Sequence, residues 1–147
     1  MEHIIFMNKK TDDFLKRIVT GEKPIESRWY KHKYAPWDRI KAGETVYFKN
    51  SGEKVTVRAV VKEIMQFENL DEEKIEKIWN AYGKEINPIT KDMKSTIGLE
   101  KAKPYKYCVL VWVKDVKEIE PFAIDKTGYG NMAAWIVVDD VNKIRVK

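Results

Sequence analysis

Gly21-Glu22-Lys23-Pro24-Ile25-Glu26-Ser27-Arg28 is a short run in which charged and apolar side chains alternate. Alternation of this period belongs to an extended strand, whose successive side chains point to opposite faces. It predicts a strand over 23–29, with Lys23, Ile25 and Ser27 on one face and Pro24, Glu26 and Arg28 on the other. Glu26 and Arg28 then lie side by side, a carboxylate next to a planar five-donor fork. Pro24 has no backbone N–H, so the strand belongs at a sheet edge or a bulge. Trp29, Tyr30, Tyr34 and Trp37 follow at once, interleaved with Lys31, His32, Lys33 and Arg39. Cations, a carboxylate and flat rings at this density fit a flat ligand carrying negative charge, such as a nucleotide or a nucleic acid.

Working outward, His3 to Met7 reads as an apolar strand. Thr11 is the expected N-cap of a helix over 10–20, with Asp12 and Asp13 in its first turn and Gly21 as its left-handed cap. Residues 30–43 read as a loop long enough to need a reason, and binding supplies one. Thr45–Lys49 and Lys54–Met65 alternate about Asn50-Ser51-Gly52-Glu53, the mark of a β-hairpin with Val55, Val57, Ala59 and Val61 on one side. Asp71 caps a helix that turns Ile75, Ile78 and Trp79 inward and is expected to stop at Gly83. A weaker helix is expected over Lys91–Ala102, and a strand over Lys106–Val113 that continues irregularly to Ile119. Gly128-Tyr129-Gly130 marks a tight turn, Ala134–Val138 a strand and Val141–Val146 a last edge strand. This order predicts an α+β fold: one domain over 1–147, its strands curled into a partly closed barrel whose openings are covered by helices 10–20 and 71–82.

The 147 residues suffice for a hydrophobic core, and the 35% of charged residues exceeds the usual quarter. Abundant Lys and Glu with a single glutamine, Gln66, resemble a thermophile surface, whereas seven asparagines fit a low-GC mesophile equally well. The net charge of +5 favours anionic partners, and its distribution says more than its size. Residues 28–41 hold Arg28, Lys31, Lys33, Arg39 and Lys41 against one acid, Asp38, while Glu68 to Glu76 is acidic. The single cysteine, Cys108, excludes a disulfide framework, and its apolar neighbours mark it as a buried thiol. No apolar run reaches the ~18 residues of a membrane span and no signal-peptide pattern opens the sequence, so a cytoplasmic location is expected. His3 and His32 have no ligand spacing, and neither a metal nor a cofactor is expected.

Gly-x-Lys-x-x-Glu-x-Arg at Gly21–Arg28, followed by Ile40-Lys41-Ala42-Gly43-Glu44-Thr45-Val46-Tyr47-Phe48, resembles the ASCH (activating signal cointegrator homology) domain over residues 10 to 65. Glu120-Pro121-Phe122, Gly128-Tyr129-Gly130 and Trp135 are similar to longer archaeal members and to the neighbouring EVE group. The resemblance implies a PUA-like mixed β-barrel with flanking helices that binds RNA or nucleotides, its cleft lined by strand 23–29. On that reading Lys23, Arg28, Lys31 and Lys33 meet phosphate, Glu26 accepts from a base amino group or sugar hydroxyl, and Trp29 or Tyr30 stacks on a base. Lys126 and the amides of turn 126–131 would meet a further phosphate. EVE and YTH relatives hold a modified base in an aromatic pocket, to which Trp112 or Trp135 would contribute here. The plain alternative is a surface strand of mutually paired charges, rings that plug a core, and an ordinary hairpin turn.

Two further readings stay open. Some bacterial ASCH proteins deacetylate acetylated cytidine with a lysine, a threonine and a glutamate. Lys23 matches that lysine, but Glu26 stands where the threonine falls, so only a Lys23–Glu26 acid–base pair would remain. Alternatively, the acidic helix 71–82, with Glu72 and Glu73, would serve a protein-interaction adaptor.

Overall fold

Ile4-Ile5-Phe6-Met7, Cys108-Val109-Leu110-Val111 and Trp135-Ile136-Val137-Val138 are unbroken apolar runs, which strands show when both of their faces are covered. A computed structural model, which describes residues 1–8, 13–89, 92–93, 105–130 and 133–146, has that architecture. Strands β1 (Glu2–Met7), β2 (Ile25–Tyr30), β3 (Thr45–Asn50), β4 (Val55–Phe67), β5 (Tyr107–Ile124) and β6 (Trp135–Val138) form one curled sheet in the order β2-β5-β4-β3-β1-β6. A two-residue β7 (Arg145–Val146) pairs with the far end of β5. β1 and β3 run parallel, and the other ladders among the described residues are antiparallel.

Strand parity then sorts the core into three. Ile5, Met7, Val109, Val111, Trp135 and Val137 meet Val46, Phe48, Val57, Ala59 and Val61 inside the barrel. Ile4, Phe6, Ile136 and Val138, on the opposite faces of β1 and β6, gather with Val55, Phe122 and Val141. Cys108, Leu110 and Ile25 pack against a helix, α2 (Glu72–Ile86). A shorter helix, α1 (Phe14–Thr20), sends Leu15 and Ile18 into the barrel interior. Seven residues are too few to hold a helix alone, and burial of those two side chains at ~1.5–3 kcal/mol each supplies what propensity cannot.

Several expectations change. The N-cap expected at Thr11 and nearly all of the helix expected over 91–102 fall outside the described residues. Asp13 takes the N-cap position of α1 in a left-handed conformation (φ 50°) without a side-chain capping bond, while Gly21 closes the helix at φ 85° as its sequence requires. Asp71 caps α2 through Oδ1, which accepts from Lys74 N at 2.8 Å. That helix does not stop at Gly83 but runs to Ile86. Gly83 is there for space: a Cβ would lie 2.8 Å from Trp79 Cε2, so the glycine lets the indole fold back over its own helix. α2 also lies against the outer face of β2 and β5 instead of covering a barrel opening. The expected final strand over 141–146 is a 3-10 turn (Val141–Lys143), capped by the Asp140 side chain on Asn142 N, and leaves two residues for β7.

Candidate functional site

β2 is an end strand of the sheet order, which suits the missing N–H of Pro24 just before it. Ile25 and Trp29 pack towards α2, and the intervening residues Glu26 and Arg28 turn the other way. β2 and β6 are the two ends of the order, and no ladder joins them among the described residues. Arg28 spans the gap. Its Nη2 donates to Phe6 O at 3.0 Å, its Nη1 donates to Ala134 O at 3.4 Å, and its guanidinium lies 5.5 Å from the centre of a Trp135 ring. Glu26 sits beside it, with Oε1 at 3.5 Å from Arg28 Nε and only 6% of the residue exposed.

This pair is incompletely satisfied. Glu26 Oε2 and Arg28 Nε are both buried and have no hydrogen-bond partner among the described residues. Buried polar atoms in native proteins are nearly always bonded, so such a pair calls for an explanation. Tyr30 adjoins it; burial raises its phenol above the usual range, with Arg28 pulling the opposite way.

Lys23 is placed differently. It precedes the strand and is 2% exposed. Its Nζ donates to Ile25 O at 2.6 Å and to Ile86 O at the C-terminus of α2, and lies 4.8 Å from the centre of the Phe14 ring on α1. One ammonium thus ties both helices to the start of β2, at the helix end where the dipole favours a cation. Burial lowers its pKa, against the attraction of Glu26.

The other expected residues scatter. Trp29 is half-buried, and its Nε1 donates to Ser27 Oγ at 3.0 Å. Tyr30 donates from its hydroxyl to Ala35 O at 3.1 Å, pinning the loop over 31–44. Lys31 and Lys33 are exposed on that loop, with Lys33 Nζ 5.8 Å from the Tyr107 ring centre. Lys126 lies apart from the loop in sequence, its Nζ 5.4 Å from the ring centre of Phe6, the residue whose carbonyl Arg28 holds. Asn131 of the expected phosphate turn lies outside the described residues. Trp112 packs edge-on to Tyr82, and Trp135 is core.

Three residues hold positions that the sequence reading did not assign to them. Among the described residues Tyr34 is the most exposed large aromatic, at 59%, and it edges against both Tyr30 and His32. Its loop companion Trp37 is core. His3 is fully buried in a chain of hydrogen bonds: Trp135 Nε1 donates to His3 Nδ1 at 3.0 Å, and His3 Nε2 pairs with Glu44 Oε1 at 3.0 Å. Since Nδ1 accepts, Nε2 carries the proton and the ring is neutral. Burial lowers its pKa, against the pull of Glu44. The signal was parity, because His3 shares the face of Ile5 and Met7. Lys49 is the third, 8% exposed beside Phe6. Among the described residues no group of three or more His, Cys, Asp or Glu side chains is arranged to hold a metal, and no helix is long and apolar enough to cross a membrane.

No protein-family model matches this sequence, and no curated protein matches it. Solved structures do. A point mutant of the ASCH protein from Zymomonas mobilis superposes with a TM-score of 0.66 at 16% identity, over 97% of this chain and 93% of that one. The ASCH protein of Zymomonas mobilis without that change gives 0.63 at 17% identity, over 97% and 91%. At such identity the likeness shows the fold, an α+β PUA-like half-barrel with two helices, as the motif at Gly21–Arg28 implies.

Proposed function

We propose that residues 1–147 form one ASCH-like domain that binds RNA or a nucleotide where Arg28 bridges the gap in the barrel wall. The observation that carries this reading is the pair Glu26 Oε2 and Arg28 Nε, an acceptor and a donor buried together with no hydrogen-bond partner among the described residues, Nε having only the 3.5 Å ion pair with Glu26 Oε1. A base edge or a ribose hydroxyl has the complementary donors and acceptors. Around it stand the features a polyanion needs: exposed Lys31 and Lys33, and Tyr34 as the ring free to stack. Lys23 and Arg28 support the site from beneath, because their donors are already directed at backbone carbonyls.

The reading is tested by following tryptophan fluorescence while titrating single-stranded RNA, single-stranded DNA, cytidine and acetylated cytidine at two salt concentrations. The expected result is oligonucleotide binding that weakens steeply with salt and falls in a Lys31→Ala/Lys33→Ala variant that keeps its melting temperature. Affinity indifferent to salt would remove the phosphate contacts from the account. Product formed from acetylated cytidine in the same tubes would favour the hydrolase reading, to which the buried, doubly bonded Lys23 lends little support.

A further inference from the structure

His3 and Trp135 lie diagonally across the β1–β6 ladder, where His3 faces Val137 and Ile5 faces Trp135, and strand parity puts both side chains on the barrel-interior side. Their rings meet edge to face, 5.9 Å between centres. Because Trp135 Nε1 can only donate, its bond to His3 Nδ1 exists while that nitrogen carries no proton. The other ring nitrogen is committed as well, since Nε2 donates to Glu44 Oε1. Trp135 in turn belongs to the far wall of the gap that Arg28 spans. Its ring lies 5.5 Å from the Arg28 guanidinium, and the residue before it, Ala134, supplies the carbonyl that accepts from Arg28 Nη1 at 3.4 Å. A line of contacts therefore runs from a buried titratable ring, through one indole, to the cation in the gap.

A proton on Nδ1 turns that acceptor into a donor facing a donor. His3 is 0% exposed and Trp135 5%, so neither nitrogen reaches water without a shift of the indole. Such a shift moves the ring beside Arg28 and the carbonyl next to it together. Arg28 then keeps its bond to Phe6 O on β1 and loses its hold on β6. The charged groups around this line are few. Glu44 and, on its Oε2 at 3.2 Å, the Met1 ammonium lie on the Nε2 side, Arg39 acts from the loop, and Arg28, paired with Glu26, lies beyond Trp135. Burial lowers the His3 pKa, the Glu44 hydrogen bond and charge raise it, and the Met1 ammonium and Arg39 lower it. The net direction is downward, so the proton arrives only on acidification below the ordinary 6.5.

We propose that His3 is the positioning residue of the barrel gap: its neutral ring latches Trp135 beside Arg28, and protonation of Nδ1 releases the latch and loosens the gap. The consequence for RNA rests on the reading of the gap as the binding site, whereas the latch itself does not. The test acidifies the full chain from neutral pH and follows three NMR signals, His3 Cε1–Hε1, Trp135 Nε1–Hε1 and Arg28 Nε–Hε, with the amides of α2 reporting unfolding. The three should move on one curve with a midpoint below 6.5 while α2 stays folded. His3→Gln offers an acceptor to Trp135 and a donor to Glu44 but takes up no proton, so its Trp135 and Arg28 signals should lose that transition. Trp135→Phe keeps a ring beside Arg28 without the N–H, and should leave Arg28 blind to His3. In parallel, affinity for a single-stranded RNA, measured one pH unit below the midpoint, should fall about tenfold further than in His3→Gln, because only about a tenth of the molecules then carry the neutral ring. Equal falls in the two proteins, beside signals that still move together, would uphold the latch and remove the gap as the place where RNA binds. Trp135 and Arg28 signals that ignore the His3 titration, an Arg28 that still follows it in Trp135→Phe, or a His3 that takes up its proton only as α2 unfolds would each overturn the proposal.

Discussion

The motif strand and the loop that follows it are built from the same residue types, yet they meet water in opposite ways. Over 23–28 the charges are inside: Lys23 and Glu26 are 2% and 6% exposed, and Arg28 hydrogen-bonds to backbone carbonyls on the far side of the barrel gap. Over 31–34 they are outside, with Lys31, His32, Lys33 and Tyr34 all exposed. Buried charges with fixed partners build a frame, whereas exposed ones remain available to a ligand. The comparison teaches that the motif residues Lys23, Glu26 and Arg28 are built into the frame of this molecule, whereas their neighbours over 31–34 are left at its surface.

Substitutions sharpen or break that contrast. The largest expected effect is from Arg28→Ala, which strands the Glu26 carboxylate in a dry wall. Breaking a buried ion pair on one side costs about 3–5 kcal/mol, read as a lower denaturation midpoint. A loss under about 1 kcal/mol would mean that the barrel gap is held by something else. Lys23→Met comes next. It leaves Ile25 O and Ile86 O without their donor, for a loss of about 1–3 kcal/mol, partly offset because burial already disfavours the ammonium.

On the loop the expectation is inverted. Tyr34→Ala should weaken oligonucleotide binding by about 1–3 kcal/mol, the worth of one stacked base, while stability moves by no more than about 0.5 kcal/mol. An unfolding midpoint that falls along with affinity would erase the distinction between frame and contact surface. The smallest effect is a pH slope. Because the folded protein holds His3 below its ordinary 6.5, the unfolded chain takes up a proton first as pH falls. Stability is therefore complete above 6.5 and declines below it, down to the lowered folded value. Glu44 is protonated only further down, since the bonds from His3 and Lys41 N outweigh burial and hold its carboxyl below the ordinary 4.5. A His3→Gln variant should lose the slope that sets in below pH 6.5; if the slope persists, its origin is elsewhere.

What could be read from the sequence was what depends on near neighbours. Period-two alternation gave the hairpin of β3 and β4, Pro24 gave the end position of β2, and Asp71 the start of α2. The fold class followed from this order together with the motif. Properties set by distant partners were out of reach. Gly83 looks like a helix stop unless one knows that the Trp79 ring lies over it. Trp37 and Tyr34 are equivalent in a list of loop aromatics, and it takes Tyr107, far along the chain, to make one core and leave the other outside. Lys49 reads as a solvated hairpin cation until β1 brings Phe6 beside it.

β1 lies between β3 and β6, so the hydrogen bond from Trp135 to His3 joins residues 132 positions apart. On a ribosome, where the chain emerges from its N-terminal end at ~5–20 residues per second, Ile4 to Met7 would appear early and wait, half-covered by β3, until Trp135 to Val138 are synthesised. For those seconds a strand with two apolar faces has one open edge, the condition under which nascent chains stick to one another. Final closure is thus a late, long-range event, and synthesis speed and early-binding chaperones should govern the yield of this protein more than the intrinsic strength of its core.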